Sequence, residues 1–123
     1  MKAAVVGSRK LTVKDLGQYL PPDTTEIISG GARGIDTCAR EYALSHGIKL
    51  TEFKPNYARY GRNAAPLKRN ITIIKNADLV LAFWDGSSHG TKGVIEKCHE
   101  MDIEVRVHLI NPENGTYNAN KSS

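Results

Sequence analysis

Asp78-Leu79-Val80-Leu81-Ala82-Phe83, running into Trp84-Asp85-Gly86-Ser87-Ser88-His89-Gly90 and then a helical pattern from Thr91 to about Met101, decides the fold class. An apolar run of strand length without polar alternation is what a strand covered on both faces requires. Such strands belong to parallel sheets flanked by helices. The glycine- and serine-rich stretch between strand and helix reads as a βα loop.

The same unit recurs toward the N-terminus. Ala3-Ala4-Val5-Val6 is stopped by Gly7-Ser8-Arg9, and Thr12 then offers a cap for a helix from about Val13 to Leu20, ended by Pro21-Pro22. Glu26-Ile27-Ile28-Ser29 is cut off by Gly30-Gly31. Ile35, Ala39, Tyr42, Ala43 and His46 then recur at helical spacing up to Gly47. Ile48 to Phe53 reads as a third strand, and a helix is predicted from about Pro66 to Asn76. Glu104 to Leu109 alternates charged and apolar residues and reads as a fifth strand.

Five strands alternating with four helical segments predict a Rossmann-like three-layer α/β/α domain with a five-stranded parallel sheet. Residues 48–53 and 104–109 carry polar side chains suited to edges, which selects the strand order 3-2-1-4-5 under right-handed crossovers. The expected domain covers residues 1–110, and residues 111–123 (NPENGTYNANKSS), with almost nothing to bury, are expected to form a flexible tail.

Composition narrows the function. The 123 residues fit one domain at ~150 residues per domain. No apolar run reaches the ~20 residues of a membrane helix, and the N-terminus is too short for a signal peptide, so a cytoplasmic protein is expected. Cys38 and Cys98 make neither a disulfide framework nor a zinc cluster, and His99 and His108 lack ligand spacing. No metal and no resident cofactor are expected. The net charge of +4 is local: Lys54, Arg59, Arg62, Lys68 and Arg69 fall in a segment from Lys54 to Asn70 that contains no acid, which leaves the rest near neutrality. That pattern points to an anion site more than to a globally cationic coat.

Ligands of open parallel sheets bind beyond the carboxyl ends of the strands where the strand order reverses, here between the first and fourth strands. Gly7, Ser8 and Arg9, then Ser29, Gly30, Gly31, Arg33 and Asp36, then Ser87, Gly90 and Thr91, lie on the three loops at that edge. Each loop leads toward a predicted helix N-terminus, where free N–H groups favour phosphate. Arg69 lies in the basic segment before the fourth strand, and Trp84, Tyr57 and Tyr60 are candidates to stack a base. Asp36 falls in a first helical turn, where an acid is favourable with or without a ligand. Glu52 reads as an edge-strand acid. Gly30-Gly31-x-x-Gly34 is not the dinucleotide fingerprint, and Gly90-Thr91-Lys92 is not a P-loop.

Val6-Gly7-Ser8-Arg9 with Thr12, and Ser29-Gly30-Gly31-Ala32-Arg33-Gly34-Ile35-Asp36, resemble the DNA-processing protein DprA. Arg69, nine residues before Asp78, and Ser87-Ser88-His89-Gly90-Thr91 are similar to the catalytic arginine and Gly-Gly-x-Gly-Thr loop of Lonely Guy phosphoribohydrolases. Over residues 3–110 the chain thus resembles the SLOG superfamily, with compact YspA-like proteins the best subgroup. The catalytic glutamate of Lonely Guy enzymes falls at Val94 here, and Glu96 lies about 200° around the helix from it. The resemblance therefore implies binding or sensing of a nucleotide or nucleotide-derived ligand (a ribosyl phosphate or ADP-ribose relative). Hydrolysis of a nucleotide N-glycosidic bond, with Asp36 or Asp85 as the acid, is the alternative. DprA-type binding of single-stranded DNA ranks third. A homodimer, through helix faces, is what the resemblance implies for assembly.

Overall fold

The computed structural model describes residues 1–111. Strands β1 (Lys2–Gly7), β2 (Glu26–Ser29), β3 (Lys49–Glu52), β4 (Leu79–Trp84) and β5 (Val105–Leu109) form one all-parallel sheet in the order β3-β2-β1-β4-β5. Helices α1 (Ile35–His46), α2 (Tyr57–Asn76) and α3 (His89–Glu100) cover it. The expected architecture and strand order are both present. The tail expected from residue 111 falls, from Pro112 onward, outside the described residues.

The two faces of the sheet make two cores. Val5, Ile27, Leu79, Leu81 and Phe83 point to one side and pack with Ile35, Ala39 and Ala43 of α1. Ala4, Val6, Ile28, Val80 and Ala82 point to the other and pack with Ile73 and Ile74 of α2 and with Val94 and Cys98 of α3. Alternation within each strand sends successive side chains to opposite layers, and both layers are apolar. No described helix is long and apolar enough to cross a membrane.

Two expectations change. The helix predicted over residues 13–20 is a single 3-10 turn, Leu16–Gln18. Leu11, Val13 and Leu16 are all buried in the α1-side core, and one helix through all three would not bring Leu11 onto the face shared by Val13 and Leu16, so the segment stays irregular to bury them. Thr12 is exposed, and the turn has no side-chain cap. The loop after β1 therefore does not lead into a full helix.

Second, α2 begins at Tyr57 rather than Pro66, where the side chain of Asn56 accepts from the Arg59 amide. It breaks at Gly61 (φ 81°, ψ 174°) and then continues through Pro66. Proline removes one bond to the carbonyl four residues back, a loss tolerated close to a helix start. On the edge strand β5, Val107 and Leu109 remain 40% and 54% exposed. Helix α3 covers the sheet only as far as Val105 on this side.

Candidate functional site

A cleft of about 370 Å³ opens at the carboxyl ends of β1 and β4, the neighbouring strands at which the strand order reverses. Gly7, Ser8, Arg9 and Lys10 form one wall and Gly30, Ala32 and Asp36 another. Pro66, Arg69, Asn70 and Ile73 of α2, and Ser88, Gly90, Thr91 and Val94 of α3, close the rest.

The loops are held from beneath. The Ser8 carbonyl accepts from the amides of Leu11 (3.4 Å) and Ile35 (3.3 Å), tying the β1 loop to the start of α1. Ser8 Oγ takes the Lys10 amide at 3.1 Å, which sets the turn that presents Arg9 and Lys10. Asp85 Oδ1 accepts the amides of Ser87 (2.9 Å) and Ser88 (2.8 Å), and those bonds hold its carboxyl below the usual value. Ser88 makes no side-chain cap to α3. The amides of the first turn of α3 therefore have no side-chain acceptor from the cap, on the side lined by Gly90 and Thr91.

Arg69 is the centre of the arrangement. Its Nη1 donates to the Gly30 carbonyl at 2.7 Å and to the Phe53 carbonyl at 3.4 Å, and its Nε donates to Asn70 Oδ1 at 2.8 Å. Burial lowers its pKa, the Asp36 carboxylate opposes that shift, and the nearby positive charge of Arg9 adds to it. Asp36 is 7% exposed, and its Oδ2 accepts the Ala32 amide at 3.0 Å. Burial raises its pKa, against the Ala32 bond, the charge of Arg69 and a bond from Ser29. Two guanidinium groups that repel one another at a partly buried cleft make a place where an anion is favourable.

Of the residues singled out in the sequence, Gly7, Ser8, Arg9, Gly30, Asp36, Arg69, Gly90 and Thr91 line this cleft. Gly31 and Arg33 lie in an adjoining concavity of about 550 Å³, with Arg40, Lys54 and Tyr57, which shares Arg9, Gly30 and Arg69 with the cleft. Ser29 is fully buried below the loop. Trp84 and Ser87 are not in the lining, and the Trp84 indole donates to the Ser88 carbonyl at 3.0 Å. Tyr60 is exposed beside Arg59 and Lys68, outside both concavities. Glu52 is engaged with Arg40 at 2.9 Å, as an edge-strand acid would be. Lys10, Asn70 and Ser88 line the cleft without having been singled out. Ser88 had a signal, since it lies on the expected loop; Lys10 and Asn70 adjoin Arg9 and Arg69.

Val94, which stands where a Lonely Guy enzyme carries its glutamate, lines the cleft and is 4% exposed. Glu96 is exposed. Of the two acids considered as substitutes, Asp36 lines the cleft and Asp85 does not.

No curated protein and no solved structure matches the chain. The family model described as DNA recombination-mediator protein A matches residues 1–54, which span β1 to β3 with the first two glycine loops. The first 54 residues are therefore similar to that DprA/Smf-type family, which supports the broad SLOG-related assignment drawn from the loops.

Proposed function

We propose that this protein binds a phosphate-bearing nucleotide or nucleotide-derived ligand in the cleft between β1 and β4 and does not cleave it. One observation carries the reading: Arg9, Lys10 and Arg69 converge with Thr91 and the start of α3 on a cleft whose hydrolytic position is the apolar Val94. The volume of about 370 Å³ suits a compact ligand of nucleotide size. The glycine loops, together with Val94, support grouping with compact YspA-like SLOG proteins over Lonely Guy enzymes.

A second reading, binding of single-stranded DNA along the same edge, is favoured by the match over residues 1–54. The adjoining concavity adds Arg33, Arg40 and Lys54 to the cationic surface. Saturation-transfer NMR with AMP, ADP-ribose and a short oligonucleotide separates the readings. Transfer to intact AMP or ADP-ribose, with no free base after hours, is the expected result. Release of base would establish a hydrolase. Binding confined to the oligonucleotide, and falling steeply with salt, would establish the second reading.

A further inference from the structure

The strand β5 ends the sheet, and no described strand pairs with its outer edge. The Glu104 carbonyl accepts from the Val80 amide at 3.0 Å, and the Ile110 amide donates to the Trp84 carbonyl at 2.9 Å. With the register Val80↔Val105, Ala82↔Val107 and Trp84↔Leu109, this means that Glu104, Arg106, His108 and Ile110 turn their backbone groups toward β4. Val105, Val107 and Leu109 turn theirs outward. The same three residues place apolar side chains on the α3 side of the sheet, where Val107 and Leu109 remain 40% and 54% exposed. An edge whose backbone groups no described strand pairs, with a row of exposed apolar side chains, is a pairing template.

We propose that the outer edge of β5 is a homotypic interface, to which a second copy of this chain adds its own β5 antiparallel, with Val107 on the two-fold axis. The sequence is self-complementary in that register. Val107 faces its own copy and Val105 faces Leu109, so both exposed apolar residues gain an apolar partner. All three pairs are of the hydrogen-bonded type because their backbone groups point outward. On the opposite face Arg106 stands across from His108, whose imidazole is kept below its usual pKa by burial and by Arg106 and so does not present a second cation at neutral pH. Glu104 already pairs with Arg106 at 3.1 Å within the strand. An isologous contact of this kind closes on itself, because it uses the β5 edge of both copies at once. No residue of β5 lines the cleft, so the interface is independent of the ligand reading.

Two strands of five residues make a small interface, under the ~1,200 Å² of stable complexes, so the association is concentration-dependent. Sedimentation velocity on the full chain from micromolar to sub-millimolar concentration tests it. A monomer–dimer equilibrium is expected, abolished by Val107→Lys and unchanged by Leu44→Lys or Leu67→Lys, which alter the exposed apolar residues of α1 and α2. Val107→Cys should also form an intermolecular disulfide under mild oxidation, well above wild type and Leu44→Cys. Facing Cα atoms in such a pair lie ~5.5 Å apart, within reach of a disulfide. A dimer lost in Leu44→Lys or Leu67→Lys but kept in Val107→Lys overturns the proposal in favour of a helix face. A monomer at every concentration without the Val107→Cys crosslink also overturns it. In that case, slow hydrogen exchange at the Val107 and Leu109 amides would place another occupant on the edge, such as residues 112–123 of the same chain.

Discussion

Arg69 and Asp36 meet over the Cα of Gly30: a β-carbon built there would collide with the Arg69 guanidinium and lie 3.1 Å from Asp36 Oδ2. Gly30 thus leaves the space in which an arginine from α2 crosses to the β2 loop and bonds its carbonyl. Gly30→Ala needs no unusual backbone angle, and the obstacle is the end of a flexible side chain, so the fold yields there. The expected outcome is a loss of about 1–3 kcal/mol, with the Arg69–Gly30 bond displaced. Urea unfolding measures the first, and weaker phosphate binding reports the second. Unchanged stability and affinity together would refute this account of Gly30.

Gly34→Ala should cost more. Gly34 has φ +70°, and its added carbon would sit 2.5 Å from the Ser8 carbonyl oxygen and 2.6 Å from the Arg9 carbonyl carbon. Those are backbone atoms of the turn that builds the cleft, and they have little room to move. Left-handed strain of ~1–2 kcal/mol adds to overpacking of ~1–3 kcal/mol. A thermal melt is the check, and a Gly34→Ala protein as stable as Gly30→Ala would contradict the prediction.

Asp36 makes stability depend on pH with a definite sign. Burial lifts its folded pKa above 3.8, so between 3.8 and the raised value the folded chain binds more protons than the unfolded one. Its contribution therefore favours the fold most at the acid end and declines as pH rises through that window. Asp36→Asn retains an acceptor for the Ala32 amide and removes the titration. Urea midpoints measured from pH 3.8 to neutrality should show a component in the wild type that Asp36→Asn lacks. Parallel profiles for the two proteins would sink the claim.

Arg9 and Arg69 should separate under mutation. Arg9 is exposed at the mouth of the cleft, so Arg9→Ala should leave stability within ~0.5 kcal/mol while weakening a phosphate ligand about tenfold. Arg69→Ala removes the cation and also strands the buried Gly30 carbonyl, and should lower stability by ~1–3 kcal/mol as well as affinity. Equal stability losses in the two variants would show that Arg69 has no structural part.

The two cysteines should differ in reactivity. Burial pushes the Cys98 thiol up to about 11, and the residue has no exposure, whereas Cys38 is half-buried with its Sγ accepting the Val13 amide at 3.4 Å. A thiol reagent on the native protein should modify Cys38 slowly and Cys98 only after unfolding. Prompt loss of both thiols would show that the α3 layer opens under native conditions.

The sheet was legible because its signal is local. Apolar runs at 3–6, 27–28 and 79–83 must be covered on both faces, and polar residues at 48–53 and 104–109 can be tolerated only at edges. The loops that form the cleft followed from the same order, since every parallel strand ends at the same edge. Arg69 was legible as a candidate by its spacing from Asp78, which resembles that of Lonely Guy proteins. Its bonds to the Gly30 and Phe53 carbonyls were not, because they join residues 39 and 16 positions apart.

What the sequence determined by itself is the strand order and the edge at which the cleft opens, for periodicity and breakers act over a few residues. Only the tertiary structure decided that residues 13–20 hold no more than the 3-10 turn Leu16–Gln18, that Trp84 fastens its own loop, and that Asp36 and Arg69 share one partly buried cleft. Those outcomes depend on which surfaces compete for the core and on how far a charge is taken from water, and both are properties of the packed molecule.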